Sequence, residues 1–148
     1  MGVNTAFQGR SYPPTEPYLV ERSHVAAFAD AVGAGSDLHR DPEAARAAGY
    51  ADVVAPPTYA VVVAQRCDAQ LVQDPEAGID FSRVVHGSQA FAHHRPLVAG
   101  DRVVGTLHVD TVREAGGHAM VTTRSELATP EGEPLCTATS TIVVRGQS

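Results

Sequence analysis

Tryptophan is absent from this chain of 148 residues, and aromatic residues make up only 5% of it. The interior therefore has to be built mainly from valine, leucine, alanine and isoleucine, whose small side chains favour close packing of helices and strands. Charged residues are also few, at 19% against 43% hydrophobic residues, and this balance argues against a disordered chain. The length fits a single domain, and we expect residues 1–148 to form it.

Positive charge is scarce as well: Lys and Arg number 11 against 17 Asp and Glu, the net charge is −6, and no basic cluster occurs. Nucleic-acid binding needs concentrated positive charge, so we expect no nucleic-acid partner. Apolar runs such as 60–64 are far shorter than the ~20 residues of a membrane-spanning helix. The N-terminus also lacks the basic and apolar regions of a signal peptide, so we expect no membrane partner and a cytoplasmic location.

Cysteine is nearly absent, and both cysteines, Cys67 and Cys136, lie in segments that otherwise have the pattern of buried structure. Small buried thiols behave as core hydrophobes, which is the interpretation that we favour for both. Among the seven histidines only His93 and His94 form a close pair, and neighbouring side chains on a strand point to opposite faces. We therefore expect no metal site.

A first helix is predicted shortly after a proline-rich lead-in and a short strand at 18–20. Ser23 can cap its N-terminus, and Gly33 can end it. Its apolar positions follow helical spacing: Val25, Phe28, Ala29 and Val32.

A second, short helix has strong signals at both ends: Asp41 as a cap, Pro42 in the first turn, Glu43 near the positive end of the dipole, and Gly49 as terminator. These signals place His39 two residues before a helix cap, in a tight loop that also holds Asp37. A histidine has an ionisable group suited to acid or base work near neutral pH. Substrate contact and a plain loop or capping role remain open for His39, and a turn or cap role for Asp37.

A third helix is predicted to open at Pro56–Pro57 and to run to Leu71 or Val72. The β-branched run 61–63 would also fit a strand, and the helix is favoured by length and by its proline start. The helix is apolar on most sides and therefore needs burial on more than one face. Only a narrow stripe of polar residues is expected to face water: Gln65, Arg66, Asp68 and Gln70.

From residue 84 onward the pattern changes to strands rich in valine and threonine, separated by Gly or Pro signals. Short connections make consecutive strands antiparallel neighbours. In the last strand one side is apolar or small and the other is mostly threonine, so one face packs and the other is wetter. We predict an α+β fold in which this sheet wraps around the third helix, with strands at about 84–94, 102–113, 118–128 and 134–145.

Two stretches give the chain a family resemblance over nearly its whole length. Residues 38–50 read LHRDPEAARAAGY, and residues 85–101 contain VHGSQAF followed by HRPLVAGD. Together with the order of elements, these strings resemble the MaoC-like hydratases and dehydratases of the hot-dog fold. The resemblance is to the branch related to actinobacterial fatty-acid (3R)-hydroxyacyl dehydratase subunits, with their FAS1-like dehydratase domain.

The resemblance implies a long central helix wrapped by an antiparallel sheet, and dimers joined sheet to sheet, as homodimers or with a second hot-dog subunit. It implies an acyl thioester of coenzyme A or acyl-carrier protein as substrate, bound at the dimer interface. The implied chemistry is reversible loss of water across carbons 2 and 3 of a 3-hydroxyacyl thioester. No metal or organic cofactor is implied.

The family's catalytic pattern, Asp-x-Asn-Pro-x-His, places its histidine on His39. Counting back, the family's Asp falls on Ala34, its Asn on Ser36 and its Pro on Asp37. We take His39 and Asp37 as the candidate catalytic residues and Ser36 as a candidate substrate contact.

The family's oxyanion donor, a backbone N–H at the start of the central helix, falls on Pro56–Pro57, and proline has no N–H to give. The donor would then come from Thr58 or Tyr59, our other candidate substrate-binding residues. The same resemblance places His86, Gln89, His93 and His94 on a strand beside the substrate tunnel, where a packed or solvated polar role is favoured. Arg95 or Arg102 could meet the phosphates of the carrier, although an isolated Arg is usually solvated surface.

Two other functions remain open. The chain could be a non-catalytic or half-catalytic subunit that shapes the acyl tunnel beside a partner with the intact pattern. It could also be an acyl thioesterase or an acyl-binding protein, because one fold hosts several chemistries.

Overall fold

A helix of twelve residues, α3 (Val61–Val72), lies against a five-stranded antiparallel sheet in the computed structural model, which describes residues 2–146. The sheet curls around α3, which confirms the predicted α+β hot-dog fold. The strand order is β1-β3-β4-β5-β2. The strands are β1 (Tyr18–Leu19), β2 (Val84–His93), β3 (Arg102–Ala115), β4 (His118–Ala128) and β5 (Pro134–Val144).

The strand register puts β2 at one edge of the sheet. β3 and β4 form a hairpin that closes at Gly116–Gly117, where both glycines have positive φ, and β4 continues into β5. β2 then pairs with β5 from Val84 opposite Val144 to His93 opposite Cys136. Among residues 2–146, β2 has β5 as its one neighbour, so its other edge is free.

The second helix, α2 (Pro42–Ala47), has the ends that the sequence predicts. The Asp41 carboxylate accepts a hydrogen bond of 2.9 Å from the N–H of Glu43. Gly49 has a φ of 98°, and the N–H groups of Gly49 and Tyr50 donate back to Arg46 and Ala45. This is the Schellman arrangement, and it needs the left-handed conformation that glycine adopts freely.

The first helix, α1 (Arg22–Ala31), differs from the prediction at its N-terminus. The N-cap is Glu21, whose side chain makes no capping hydrogen bond, and Ser23 lies inside the first turn. The reason is that the N–H of Val25 donates to the carbonyl of Glu21 at 3.0 Å, so the first turn already contains Ser23. Ser23 is therefore not the cap.

The third helix begins as predicted, with a 3₁₀ turn at Pro57–Ala60 before α3 itself. The helical interpretation of the valine run is thus confirmed. Both cysteines are buried and free, Cys67 on α3 and Cys136 on β5, and burial raises the pKa of each thiol to about 11. The prediction that they are core residues is confirmed.

Asp68 departs from the polar stripe expected on α3. It is half-buried, and one carboxylate oxygen accepts a hydrogen bond of 2.8 Å from the hydroxyl of Thr123 on β4. Ala64, four positions before it, and Leu71, three positions after it, are buried and share its side of the helix. Asp68 therefore faces the sheet and not the solvent.

The core lies between α3 and the concave face of the sheet and is made of small aliphatic residues with few aromatics. On β5, Cys136, Ala138, Ser140 and Val144 are buried while the alternating threonines are half-buried, as the alternation predicts. Within residues 2–146, the helices are too short and too polar to cross a membrane.

Candidate active site

His39 lies in a 3₁₀ turn (Asp37–His39) between α1 and α2. Its ring atom Nδ1 lies 2.6 Å from the carbonyl oxygen of Val54, and the N–H of Val54 donates to the carbonyl of Leu38 at 2.8 Å. A carbonyl oxygen only accepts, so Nδ1 carries the hydrogen. The neutral ring then has its lone pair on Nε2, which is the form of a general base.

The loop that carries His39 is held by Arg40. The Arg40 guanidinium donates to the carbonyls of Ser36 and Ala34 at 2.9 and 2.8 Å and pairs with Asp30 at 2.6 Å. The Ser36 hydroxyl accepts from the N–H of Leu38 at 3.2 Å and so caps the turn. The position of His39 is therefore fixed by hydrogen bonds on both sides of the turn.

Asp37 shares the turn with His39, but its side chain is exposed. Its backbone carbonyl accepts from the N–H groups of Arg40 and Asp41. Among residues 2–146, no ion pair joins Asp37 to His39. The two predicted catalytic residues are thus neighbours on one loop without being a hydrogen-bonded pair in the single chain.

The two predicted oxyanion donors have different surroundings. Thr58 is exposed at the start of the turn that leads into α3, and neither its N–H nor its hydroxyl has a hydrogen-bond partner within residues 2–146. Tyr59 is 1% exposed; its N–H donates to Pro56 at 2.9 Å, and its hydroxyl lies 2.7 Å from that of Tyr18. Burial raises the pKa of Tyr59. Thr58 has free donors, whereas Tyr59 is part of the core.

A groove runs between α3 and β2, and we call it the α3–β2 groove. Its first part, about 430 Å³, begins beside Thr58 and is lined by residues of β2 that include His86, Gln89 and His93. Its second part, about 760 Å³, continues along α3 past Asp68 and shares His86 as a wall. Three of the four strand residues that the resemblance places beside a tunnel therefore line this groove.

His93 on β2 forms a hydrogen bond with the turn before α3 and so joins the two sides of the groove. Its Nε2 lies 2.7 Å from the carbonyl oxygen of Pro57, and its ring stacks on Phe91. His94 lies beyond the end of β2 and is exposed. Neither part of the groove is lined by Ser36, Asp37 or His39 in the single chain.

Arg95 is occupied by carboxylates. It donates to both oxygens of Asp101 at 2.9 and 3.0 Å and to Glu133 at 2.9 Å, and these hydrogen bonds raise its pKa. Asp101 follows Gly100, whose φ is 97°, in the turn before β3. Arg95 therefore holds this turn in place, and its charge is compensated by two carboxylates and not by a phosphate.

Two residues of the groove escaped the sequence analysis, Asp68 and Ser140. They line the same cavity because α3 packs on the sheet, and the pattern of either segment alone gives no signal for that. In the part of the chain that the structure describes, no group of three or more His, Cys, Asp or Glu residues could hold a metal ion.

Comparison with known families decides the affiliation of the chain, since residues 6–138 match the model described as "FAS1-like, dehydratase domain region". The chain belongs to the FAS1-like dehydratase domain family. The predicted resemblance to this family is thereby confirmed. Relatives include the UPF0336 protein of Saccharopolyspora erythraea, 53% identical over 99% of this chain and 94% of that one, and UPF0336 protein Lxx02810 of Leifsonia xyli, 54% identical over 97% of each.

Solved structures agree with this family. The HadBC (3R-hydroxyacyl-ACP dehydratase) complex from Mycobacterium tuberculosis matches with a TM-score of 0.83 and 28% identity over 93% of this chain and 96% of that chain. A MaoC-like dehydratase matches with a TM-score of 0.86 and 30% identity over 95% of this chain and 43% of that chain. The (R)-hydratase from A. caviae shares the fold, with a TM-score of 0.68 and 20% identity over 95% of this chain and 96% of that chain.

Proposed function

We propose that this FAS1-like dehydratase-domain protein is a subunit of a hydro-lyase that removes water from (3R)-hydroxyacyl thioesters or adds it to enoyl thioesters. The observation that carries the proposal is the hydrogen bond from His39 Nδ1 to Val54, which leaves a lone pair on Nε2. The HadBC complex, a (3R)-hydroxyacyl-ACP dehydratase by name, supports the reaction class. The substrate is a thioester of coenzyme A or of acyl-carrier protein, and no metal or organic cofactor takes part.

The proposed reaction needs one base, one acid and one oxyanion donor. The lone pair of His39 Nε2 takes the proton from C2 of the thioester, and the carbonyl oxygen becomes an enolate oxygen. The imidazolium formed then gives its proton to the C3 hydroxyl, the C3–O bond breaks, and water leaves. The product is the 2-enoyl thioester, and hydration is the reverse.

Thr58 is proposed to stabilise the enolate. Its N–H and hydroxyl are free of partners within residues 2–146, and it lies at the start of the turn into α3, four residues after the carbonyl that holds His39. Losing an oxyanion donor typically costs about 2.7–4 kcal/mol of transition-state stabilisation. Ser36, on the His39 loop, is proposed to contact the substrate beside it.

The role of the family's aspartate is proposed for Asp37, which would orient the hydroxyl or the attacking water. Its exposure leaves it open to a substrate that covers the loop. The same exposure, with no ion pair to His39 in residues 2–146, favours a second candidate. In that candidate the chain is half-catalytic, and a second hot-dog subunit supplies the aspartate in register.

Assembly with a second chain is part of both candidates. The free edge of β2 is available for sheet-to-sheet pairing, and Val85 on β2 and Phe81 just before it are exposed, by 47% and 73%. Both HadBC and the ChsH1–ChsH2 complex from Mycobacterium tuberculosis are described as complexes. We propose that the partner chain covers the α3–β2 groove and closes the acyl site.

Hydration of crotonyl-CoA, followed by loss of the enoyl absorbance, tests the proposal. The purified chain is assayed alone and after co-expression with a hot-dog chain that carries the intact Asp-x-Asn-Pro-x-His pattern. Activity of the chain alone supports a homodimer, and activity of the mixture above that of the partner alone supports the half-catalytic subunit. Release of free coenzyme A without hydration would instead identify a thioesterase and contradict the proposal.

A further inference from the structure

A second group of polar side chains lies at the far end of the α3–β2 groove from Thr58. The cavity there has a volume of about 760 Å³, and its walls come from the second half of α3, from β2 and from β5. Five of its lining residues carry hydrogen-bonding side chains: Gln65, Asp68, Gln73, His86 and Ser140. A groove that served only a hydrocarbon chain would be lined by apolar residues here.

Asp68 is the unusual member of this group, because it is a carboxylate on the helix around which the core is built. One oxygen accepts from the Thr123 hydroxyl at 2.8 Å, whereas Oδ2 has no hydrogen-bond partner among residues 2–146. No ion pair within residues 2–146 compensates its charge. Burial raises the pKa of Asp68, and the nearby His86 opposes this rise.

Two polar residues of β2 extend the group toward Thr58. His86 lines both parts of the groove, and its Nε2 lies 3.1 Å from the Ser140 hydroxyl, which leaves Nδ1 without a partner in residues 2–146. The amide nitrogen and oxygen of Gln89 are buried and have no partner in the described chain. Such unpaired buried groups are rare in folded proteins and call for a ligand, a water or a neighbouring chain.

We propose that the α3–β2 groove binds an acyl chain that carries a hydroxyl group far from the thioester, and that Asp68 and His86 bind this hydroxyl. A saturated chain would cover the Asp68 carboxylate without offering a hydrogen bond, and burying a polar group unpaired is costly. A hydroxyl can donate to Oδ2 of Asp68 and pair with Nδ1 of His86. Asp68 and His86 are therefore specificity-determining residues.

The distance between Thr58 and Asp68 along the helix fits a hydroxyl group that is remote from the reacting carbons. Thr58 and Asp68 are separated by ten residues, or about 15 Å at 1.5 Å per residue. The thioester would lie at the Thr58 end and the hydroxyl at the Asp68 end. This inference rests on the proposed function, because it takes the thioester to bind beside Thr58.

Calorimetric titration of decanoyl-CoA and of its ω-hydroxylated form into the assembly that is active in the hydration assay tests the inference. The hydroxylated ligand is expected to bind at least about tenfold more tightly, the size typical of a hydrogen bond to a charged group. Asp68→Leu should abolish the preference, and Asp68→Asn, which keeps an acceptor for Thr123, should reduce it. Asp110→Leu, which removes an exposed carboxylate on β3, serves as the matched control and should keep the preference. Melting temperatures show that each variant is folded.

Equal affinity of the folded wild-type protein for both ligands would overturn the inference and leave the proposed function intact. A preference that persists in Asp68→Leu would also overturn it, because another residue would then bind the hydroxyl. Binding of neither ligand, with no hydration of any enoyl thioester, would refute the proposed function and the inference together.

Discussion

At the scale of single residues, His39 depends on one backbone contact. The Val54 carbonyl accepts from Nδ1 at 2.6 Å and thereby selects the tautomer with a basic Nε2. The Arg40 guanidinium, bonded to two carbonyls of the loop, keeps the turn in place. The histidine could be identified from the sequence because helix signals bracket its loop. The contact that sets its tautomer could not, since Val54 comes fifteen residues later in the chain.

Tyr59 and Thr58 are adjacent in sequence, but Tyr59 belongs to the core whereas Thr58 is the proposed oxyanion donor. Tyr59→Phe removes one hydroxyl of a buried pair and leaves that of Tyr18 unpaired. We expect a loss of about 1–2 kcal/mol in the free energy of unfolding, measured by urea denaturation. The hydration rate should stay within about twofold of wild type, because the Tyr59 hydroxyl pairs with Tyr18 and Tyr59 lines neither part of the α3–β2 groove.

Tyr50→Phe, at an exposed tyrosine, is the control for that substitution and should change neither quantity. A large loss of hydration rate in Tyr59→Phe with unchanged stability would mean that the Tyr59 hydroxyl contacts the substrate.

At the scale of elements, α3 approaches the sheet closely at Gly105 on β3. A Cβ there would overlap the Sγ of Cys67 on α3 and lie 3.0 Å from Cδ2 of Leu127. We expect Gly105→Ala to lower the free energy of unfolding by about 1–3 kcal/mol, the usual cost of overpacking. In a Cys67→Ala background, which removes the sulfur, the same change should cost less, and a double-mutant cycle in urea measures the difference. Equal costs in both backgrounds would show that α3 lies further from the sheet.

Sequence patterns predicted the elements well where local signals were complete. In α2, Asp41 is the N-cap and Gly49 ends the helix, as predicted. The strands begin and end within two residues of their predicted bounds. The predicted start of α1 was wrong by two residues, because a good capping residue, Ser23, lies just inside the helix.

Asp68 shows where such patterns fail. Its residue type predicts a solvated face, but its position on α3 turns it toward Thr123 and the groove. Helical spacing alone cannot tell a water-facing stripe from one that faces a polar cavity, because the difference depends on distant residues such as Thr123, 55 positions along the chain.

At the scale of the whole molecule, the edge of β2 that is unpaired within residues 2–146 is where we propose that a second chain binds. Val85→Lys, at an exposed valine of this strand, is expected to prevent the proposed dimer from forming, because a charge at a buried interface is costly. Light scattering after size-exclusion chromatography measures the mass, for the chain alone and with a partner chain. Val32→Lys, at an equally exposed valine after α1, is the matched control. Assembly that Val85→Lys leaves intact would exclude this edge as the interface.

The hydration rate of His39→Gln, measured in the assembly that is active with the wild-type chain, tests the central claim most directly. Glutamine cannot serve as a base, so we expect kcat/KM for crotonyl-CoA to fall by at least about a hundredfold with little change in melting temperature. His24→Gln, at an exposed histidine on α1, should retain the wild-type rate. A folded His39→Gln variant with the wild-type rate would contradict the assignment of the base to this chain.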